Sequence, residues 1–192
     1  MEQSDEVLIE LYRAGNDAAL TALVERHFAS IYSYAYRFVH SASAAEDITQ
    51  ETFIKVWKQL HRFKPGTGLR PWLFRIARNT AIDHLRKKKN IPLSYFEDQD
   101  GFGKLTAGNE AIFADETDSL EEAMGREDKV LLSDALKDLA LHYREVLLLR
   151  AEQGMTFEEI GLSIGKPLNT VKSLYRRGLM QLHQIISSKR SN

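Results

Sequence analysis

The 192 residues are 43% hydrophobic with a formal net charge of −1, enough apolar content to close one ordinary core or two small ones. There is no cysteine, which excludes disulfide frameworks, thiolate catalysis and cysteine-built zinc sites. The six histidines are scattered without HxH or HxxxH spacing, no apolar run approaches the ~20 residues of a bilayer span, and the acidic start does not resemble a secretory leader. The expectation is a cytoplasmic chain without metal, cofactor or direct membrane insertion.

Residues 5–89 read as helices. One is expected over 44–60, opened by the capping box Ser43-x-x-Glu46, with Phe53, Val56, Trp57 and Leu60 as its buried stripe. The loop Lys64-Pro65-Gly66-Thr67-Gly68 follows. A further helix starts near Pro71, a good first-turn residue, and runs to about Lys89. Arg75, Arg78, Asn79, Arg86 and Lys89 fall on one side of it, and Leu73, Phe74, Ala77, Ala81 and Leu85 on the other. Ile82 lies within the basic stripe, where it suits packing on another helix, and Asp83 can pair with Lys87 at i+4. Trp72 borders the basic face, with Phe63 just upstream. Two readings of Trp72 stay open: a core tryptophan, or a ring on which an exposed base of single-stranded DNA stacks.

Residues 90–128 lose this periodicity. They contain Gly101, Gly103 and Gly108 and read as a linker with a helical turn near Leu120–Met124. Charge is segregated along the chain: net −4 over 1–61, +8 over 62–89, −9 over 90–128 and +4 over 129–192. Two basic blocks separated by an acidic one suggest two nucleic-acid contacts on a tether, against the blander reading of solvated surface charge. At ~3.3–3.6 Å per residue the tether could span roughly 130 Å.

Residues 129–188 are helical again, broken at Gln153-Gly154 and at Gly165-Lys166-Pro167. Thr156-x-x-Glu159 is a second capping box, opening a short helix through Ile164. Ile160 and Ile164 give it an apolar face, Gly161 is small where two helices cross, and Gly165 permits a sharp turn. A longer helix follows Pro167, the layout of a helix-turn-helix. On that second helix Val171, Tyr175, Leu179, Leu182 and Ile186 share one face, with Leu174 at its edge. Asn169, Lys172, Ser173, Arg176 and Arg177 share the other, where arginine can bridge guanine O6 and N7 and lysine or serine can hold phosphates or base edges. The expected fold is all-α: two small helical domains, 1–89 and 129–192, on a flexible acidic linker, 90–128.

Three segments carry a family resemblance. Ala45-Glu46-Asp47-Ile48-Thr49-Gln50-Glu51-Thr52-Phe53 resembles the segment with which sigma-70-type factors grip RNA polymerase. Trp72-Leu73-Phe74-Arg75-Ile76-Ala77-Arg78-Asn79, with Ile82-Asp83-His84-Leu85-Arg86, resembles their −10 region. Phe157-Glu158-Glu159-Ile160-Gly161, with Asn169-Thr170-Val171-Lys172-Ser173, resembles their −35 reader. Order and spacing match the compact extracytoplasmic-function class, which keeps only sigma regions 2 and 4; the likeness covers nearly the whole chain. One departure is Leu174, where many members carry arginine.

The resemblance implies a promoter-specific initiation factor. Asp47, Gln50 and Glu51 would meet the β′ clamp helices of core RNA polymerase. The loop 63–70 would capture a flipped base of the −10 strand, and Phe63, Arg70, Trp72, Arg75, Arg78, Asn79 and Arg86 would serve −10 DNA. Asn169, Thr170, Lys172, Ser173, Arg176 and Arg177 would serve −35 DNA. The β flap and an anti-sigma factor are further implied partners, and the acidic linker would enter the polymerase channels that later hold template and transcript. A conventional helix-turn-helix activator or repressor explains 129–192 equally well, but not the Trp72 helix, the Asp47–Glu51 face or the acidic linker. An enzyme acting on nucleic acid would need converging carboxylates, and the adjacent pairs Glu46-Asp47 and Glu158-Glu159 point about 100° apart on a helix.

Overall fold

The computed structural model describes residues 3–64, 66, 68–89 and 126–190. The N-terminal group contains α1 (Asp5–Arg13), α2 (Asp17–Val39), α3 (Ala42–Gln59) and α4 (Leu69–Lys89), with a 3-10 turn at Leu60–Arg62 after α3. The C-terminal group contains α5 (Arg126–Asp138), α6 (Leu141–Leu147), a π-turn at Leu148–Glu152, α7 (Phe157–Ile164) and α8 (Leu168–Arg190). The described residues hold helices and no strand. Most of the expected linker, including the turn near 120–124, lies outside them.

Caps set the helix starts. Ser4 accepts from the Val7 amide, Asn16 from Ala18 and Ser41 from Ala44, each satisfying an amide that the first turn leaves unpaired. The last corrects the sequence reading: the cap of α3 is Ser41, not Ser43, so α3 begins two residues earlier than expected. In the core of the N-terminal group, Ile31, Tyr34, Ala35 and Phe38 of α2 meet Ala45, Ile48 and Val56 of α3 and Leu73, Phe74, Ala77 and Ala81 of α4. Three buried threonines return their hydroxyls to the carbonyl four residues back: Thr49 to Ala45 at 2.7 Å, Thr52 to Ile48 at 2.7 Å and Thr80 to Ile76 at 2.9 Å. None is then left unpaired in the core. Ile82, expected to pack on another helix, is buried.

The C-terminal core draws on Val146, Leu147, Leu148, Leu149, Met155, Ile160, Val171, Leu174 and Leu182. Gly178 lets α8 cross α6 closely; a Cβ there would lie 3.2 Å from Tyr143 Cβ and 3.4 Å from Leu147 Cγ.

The two groups pack on each other, chiefly α4 against α7 and α2 against α6 and the π-turn, and one continuous apolar cluster includes both. The two helical groups expected from the sequence are thus present, and polar and charged side chains bridge them, as described next.

Candidate nucleic-acid interface

The helix-turn-helix forms from α7 and α8. Thr156 Oγ1 accepts from the Glu159 amide at 3.2 Å, and the Thr156 amide donates to Glu159 Oε2 at 2.7 Å. Gly165 closes α7 in the left-handed region (φ 70°), open to glycine at little cost. At Gly161 an added Cβ would sit 2.8 Å from the Lys166 carbonyl oxygen and 3.7 Å from Val171 Cγ2, so only hydrogen fits between α7 and the turn. Phe157 and Tyr175 meet edge to face with centroids 5.3 Å apart, and Arg150 lies 4.9 Å over the Phe157 ring. These contacts fix the angle at which α8 leaves the turn.

On α8, Val171, Leu174 and Leu182 are buried, Tyr175, Leu179 and Ile186 are half-buried, and Asn169, Lys172 and Arg176 are exposed. Thr170, Ser173 and Arg177 are half-exposed. The polar side of the wheel therefore faces outward, and Leu174 belongs to the core.

On α3, Asp47, Gln50 and Glu51 are exposed while Ile48, Thr49 and Thr52 beneath them are buried. Lys55 bonds Glu51 at 2.9 Å and Thr80 Oγ1 at 3.0 Å, linking this face to α4. Trp57, expected in the core, is 54% exposed, as are Ile54 at 49% and Phe28 at 45%. Phe28 stacks on half-buried Phe53 with centroids 6.1 Å apart. The acidic face thus continues into an apolar one. Sequence reasoning missed this because a tryptophan at helical spacing from Phe53 and Leu60 looks like core.

The N-terminal basic surface departs furthest from expectation. Arg75, Asn79 and Arg86 are exposed, and Asp83 pairs with Arg86 at 3.5 Å rather than with Lys87. Trp72 is half-buried, 5.2 Å centroid to centroid from Phe63. Phe63 is itself buried at 5% exposure, so its ring is not presented to a base; Arg13 anchors its carbonyl and that of Leu60. Arg70 donates to the carbonyl of Gln153. Arg78, expected to project toward DNA, instead pairs through Nε with Glu145 Oε1 at 2.5 Å.

Glu145 is buried at 3% exposure, and Tyr34 donates to the same oxygen at 3.5 Å. Burial raises the Glu145 carboxyl above its usual range, with Arg78 pulling the other way. Burial followed by the nearby Glu145 charge raises the Tyr34 phenol. Burial works against the Arg78 charge, and Glu145 outweighs it. Around this cluster Arg144 donates to the Phe38 carbonyl at 3.2 Å, Arg37 pairs with Glu152 at 3.0 Å, and Ser163 donates to the Pro71 carbonyl at 3.2 Å. No sequence signal could have found these partners, since Arg78 and Glu145 stand 67 residues apart.

Among the described residues no group of three or more histidines and carboxylates converges as for a metal ion. No described helix is long and apolar enough to cross a membrane.

Comparison with known proteins gives matches to sigma-70 region 2 over residues 23–91 and to sigma-70 region 4 over residues 129–182. The ECF RNA polymerase sigma factor SigE of Mycolicibacterium smegmatis is 33% identical over 92% of this chain and 66% of its own length. The RNA polymerase sigma-H factor of Pseudomonas aeruginosa is 31% identical over 90% of this chain and 88% of its own. Among solved structures, the sigma factor RpoE of Bartonella quintana, in complex with the anti-sigma factor NepR, superposes with a TM-score of 0.63 at 25% identity, covering 87% of this chain and 96% of that one. With both matched regions falling, in order, on the two helical groups, the chain belongs to the sigma-70 family of RNA polymerase sigma factors, in its extracytoplasmic-function class.

Proposed function

We propose that the chain binds core RNA polymerase, directs it to promoters through −35 and −10 elements and assists melting, without chemistry of its own. The observation that carries this reading is the coincidence of the two matched regions with two surfaces of the expected kind. One is the exposed polar side of α8; the other is the exposed acidic face of α3. In this reading residues 1–89 serve as region 2, 129–192 as region 4, and 90–128 as an acidic linker through the polymerase channels.

Asp47, Gln50 and Glu51 would approach the β′ clamp helices, with Ile54 and Trp57 adding apolar contact beside them. Trp72, Arg75, Asn79 and Arg86 would serve the −10 strand, joined by Arg70 and Arg78 once their present partners are released. Asn169, Thr170, Lys172, Ser173, Arg176 and Arg177 would serve −35, and the same domain would contact the β flap. A cytoplasmic anti-sigma factor is a further proposed partner, supported by the anti-sigma complex of the similar Bartonella protein.

The test is promoter binding with and without core enzyme. Specific binding is expected only when core is present, whereas a conventional activator binds its site alone. Within the complex, Arg176→Ala or Arg177→Ala should each cost about 1–3 kcal/mol at promoters whose −35 base it bridges. Lys172→Ala should act alike on all sequences and flatten the salt dependence. Specific binding without core, or normal −35 preference in both arginine variants, would contradict these assignments.

A further inference from the structure

Lys55 stands where α3 meets α4 and holds two partners at once. Its ammonium lies 2.9 Å from Glu51 Oε1 and donates to Thr80 Oγ1 at 3.0 Å. Thr80 is fully buried, and its hydroxyl proton is given to the Ile76 carbonyl at 2.9 Å. A hydroxyl has one proton and two lone pairs, so what remains on Thr80 is acceptor capacity, met by the lysine. This bond ties the tip of a long, flexible stem to the interior of α4. The Lys55 side chain is 32% exposed and that of Glu51 52%, so the three residues run from the core to the outer face of α3.

An exposed glutamate samples many rotamers, and ordering it on a partner costs entropy. A lysine four residues later supports it in the favourable i,i+4 order, but an unanchored lysine tip is itself mobile. Anchored by Thr80, Lys55 holds the Glu51 carboxylate over α3, with Asp47 and Gln50 exposed on the same face. A partly exposed pair of this kind adds little stability. Its consequence lies in how it presents the carboxylate.

We propose that Lys55 is a positioning residue for polymerase capture: anchored by Thr80, it sets the Glu51 carboxylate in the orientation that the polymerase meets. This rests on the polymerase role proposed for the acidic face of α3. Positioning and simple charge predict opposite signs. A partner that complements an acidic face is basic, so charge alone would tighten binding when a lysine is deleted from that face. Loss of positioning weakens it.

The experiment is titration of core polymerase with fluorescently labelled chain, with folding of each variant checked by circular dichroism. Lys55→Met keeps the stem and removes the charge; it should weaken core binding about two- to fivefold, the scale of one partly exposed pair. Thr80→Val removes a buried hydroxyl and no charge. It should weaken binding to a similar extent, and Thr80→Ser should restore it. In a Glu51→Ala background Lys55→Met should weaken binding no further, because Lys55 acts through that carboxylate. Unchanged or tighter binding by Lys55→Met, the same loss when Glu51 is absent, or parent-like binding by folded Thr80→Val overturns the proposal. If Thr80→Val does not fold, Lys55→Met in the two backgrounds decides. Asp47→Ala separates this role from the reading beneath it. A loss there with none in Lys55→Met leaves the polymerase face standing and removes the positioning role; no loss in either Asp47→Ala or Glu51→Ala removes both.

Discussion

His40 ends α2 in the left-handed region at φ 54°, the one non-glycine residue with positive φ among those described. Its amide donates to the Tyr36 carbonyl at 2.7 Å, closing the helix. Burial, with Arg144, Lys137 and Arg37 nearby, lowers its pKa from 6.5 to about 4. Above 6.5 the ring is neutral in folded and unfolded chain alike and contributes no pH dependence. As pH falls from 6.5 toward 4, the unfolded chain takes up a proton that the folded one refuses, so stability is lost across that window. His40→Gly should therefore raise stability at neutral pH by up to about 1 kcal/mol, through relief of the left-handed backbone. It should also flatten the acid side. Urea melts of both proteins across that range check this; parallel stability curves would show that His40 is not the acid-sensitive group. Neither the helix end at residue 40 nor the left-handed conformation that makes histidine unfavourable there can be read in the sequence, since no glycine marks it.

At the scale of helices, α7 and α8 were almost fully legible. The capping box, Gly161, Gly165 and the apolar side of α8 each constrain the same geometry, so a local reading sufficed. Gly161→Ala should cost about 1–3 kcal/mol, because its Cβ would meet a backbone oxygen at 2.8 Å that cannot turn aside. The loss should appear in thermal melts together with weakened −35 binding. A variant as stable as the parent would mean that the turn can relax. Helix α3 was legible only in part. Its acidic face was implied by the family resemblance of 45–53, but its cap lies at Ser41 and Trp57 lies outside the core. Helical periodicity alone does not say which apolar flank a neighbour covers. Trp57→Ala should leave stability within about 0.5 kcal/mol, as for a surface substitution, yet weaken association with core polymerase, since an exposed aromatic is a common interface anchor. Unchanged core affinity by fluorescence titration would remove Trp57 from the polymerase surface.

For the molecule as a whole, fold class and the order of the two regions could be read from motifs because each is local. Their packing could not, because Arg78 with Glu145, Arg37 with Glu152 and Ser163 with Pro71 join residues with no common period. Charge counting even misleads at Arg78. The same guanidinium that adds to a basic stripe in the sequence is neutralised by a buried carboxylate in the fold. That is why the basic surface of α4, proposed for −10 DNA, is the least legible of the three. The charge pattern over 90–128 retains its proposed role as an acidic strand through polymerase. If this chain confers promoter choice on polymerase, RNA 5′ ends mapped on genomic DNA transcribed by core polymerase with and without the purified chain will differ. A discrete set of new start sites sharing paired −35 and −10 sequences is expected. Transcripts indistinguishable from those of core alone, or starts without a shared upstream pair, would contradict it.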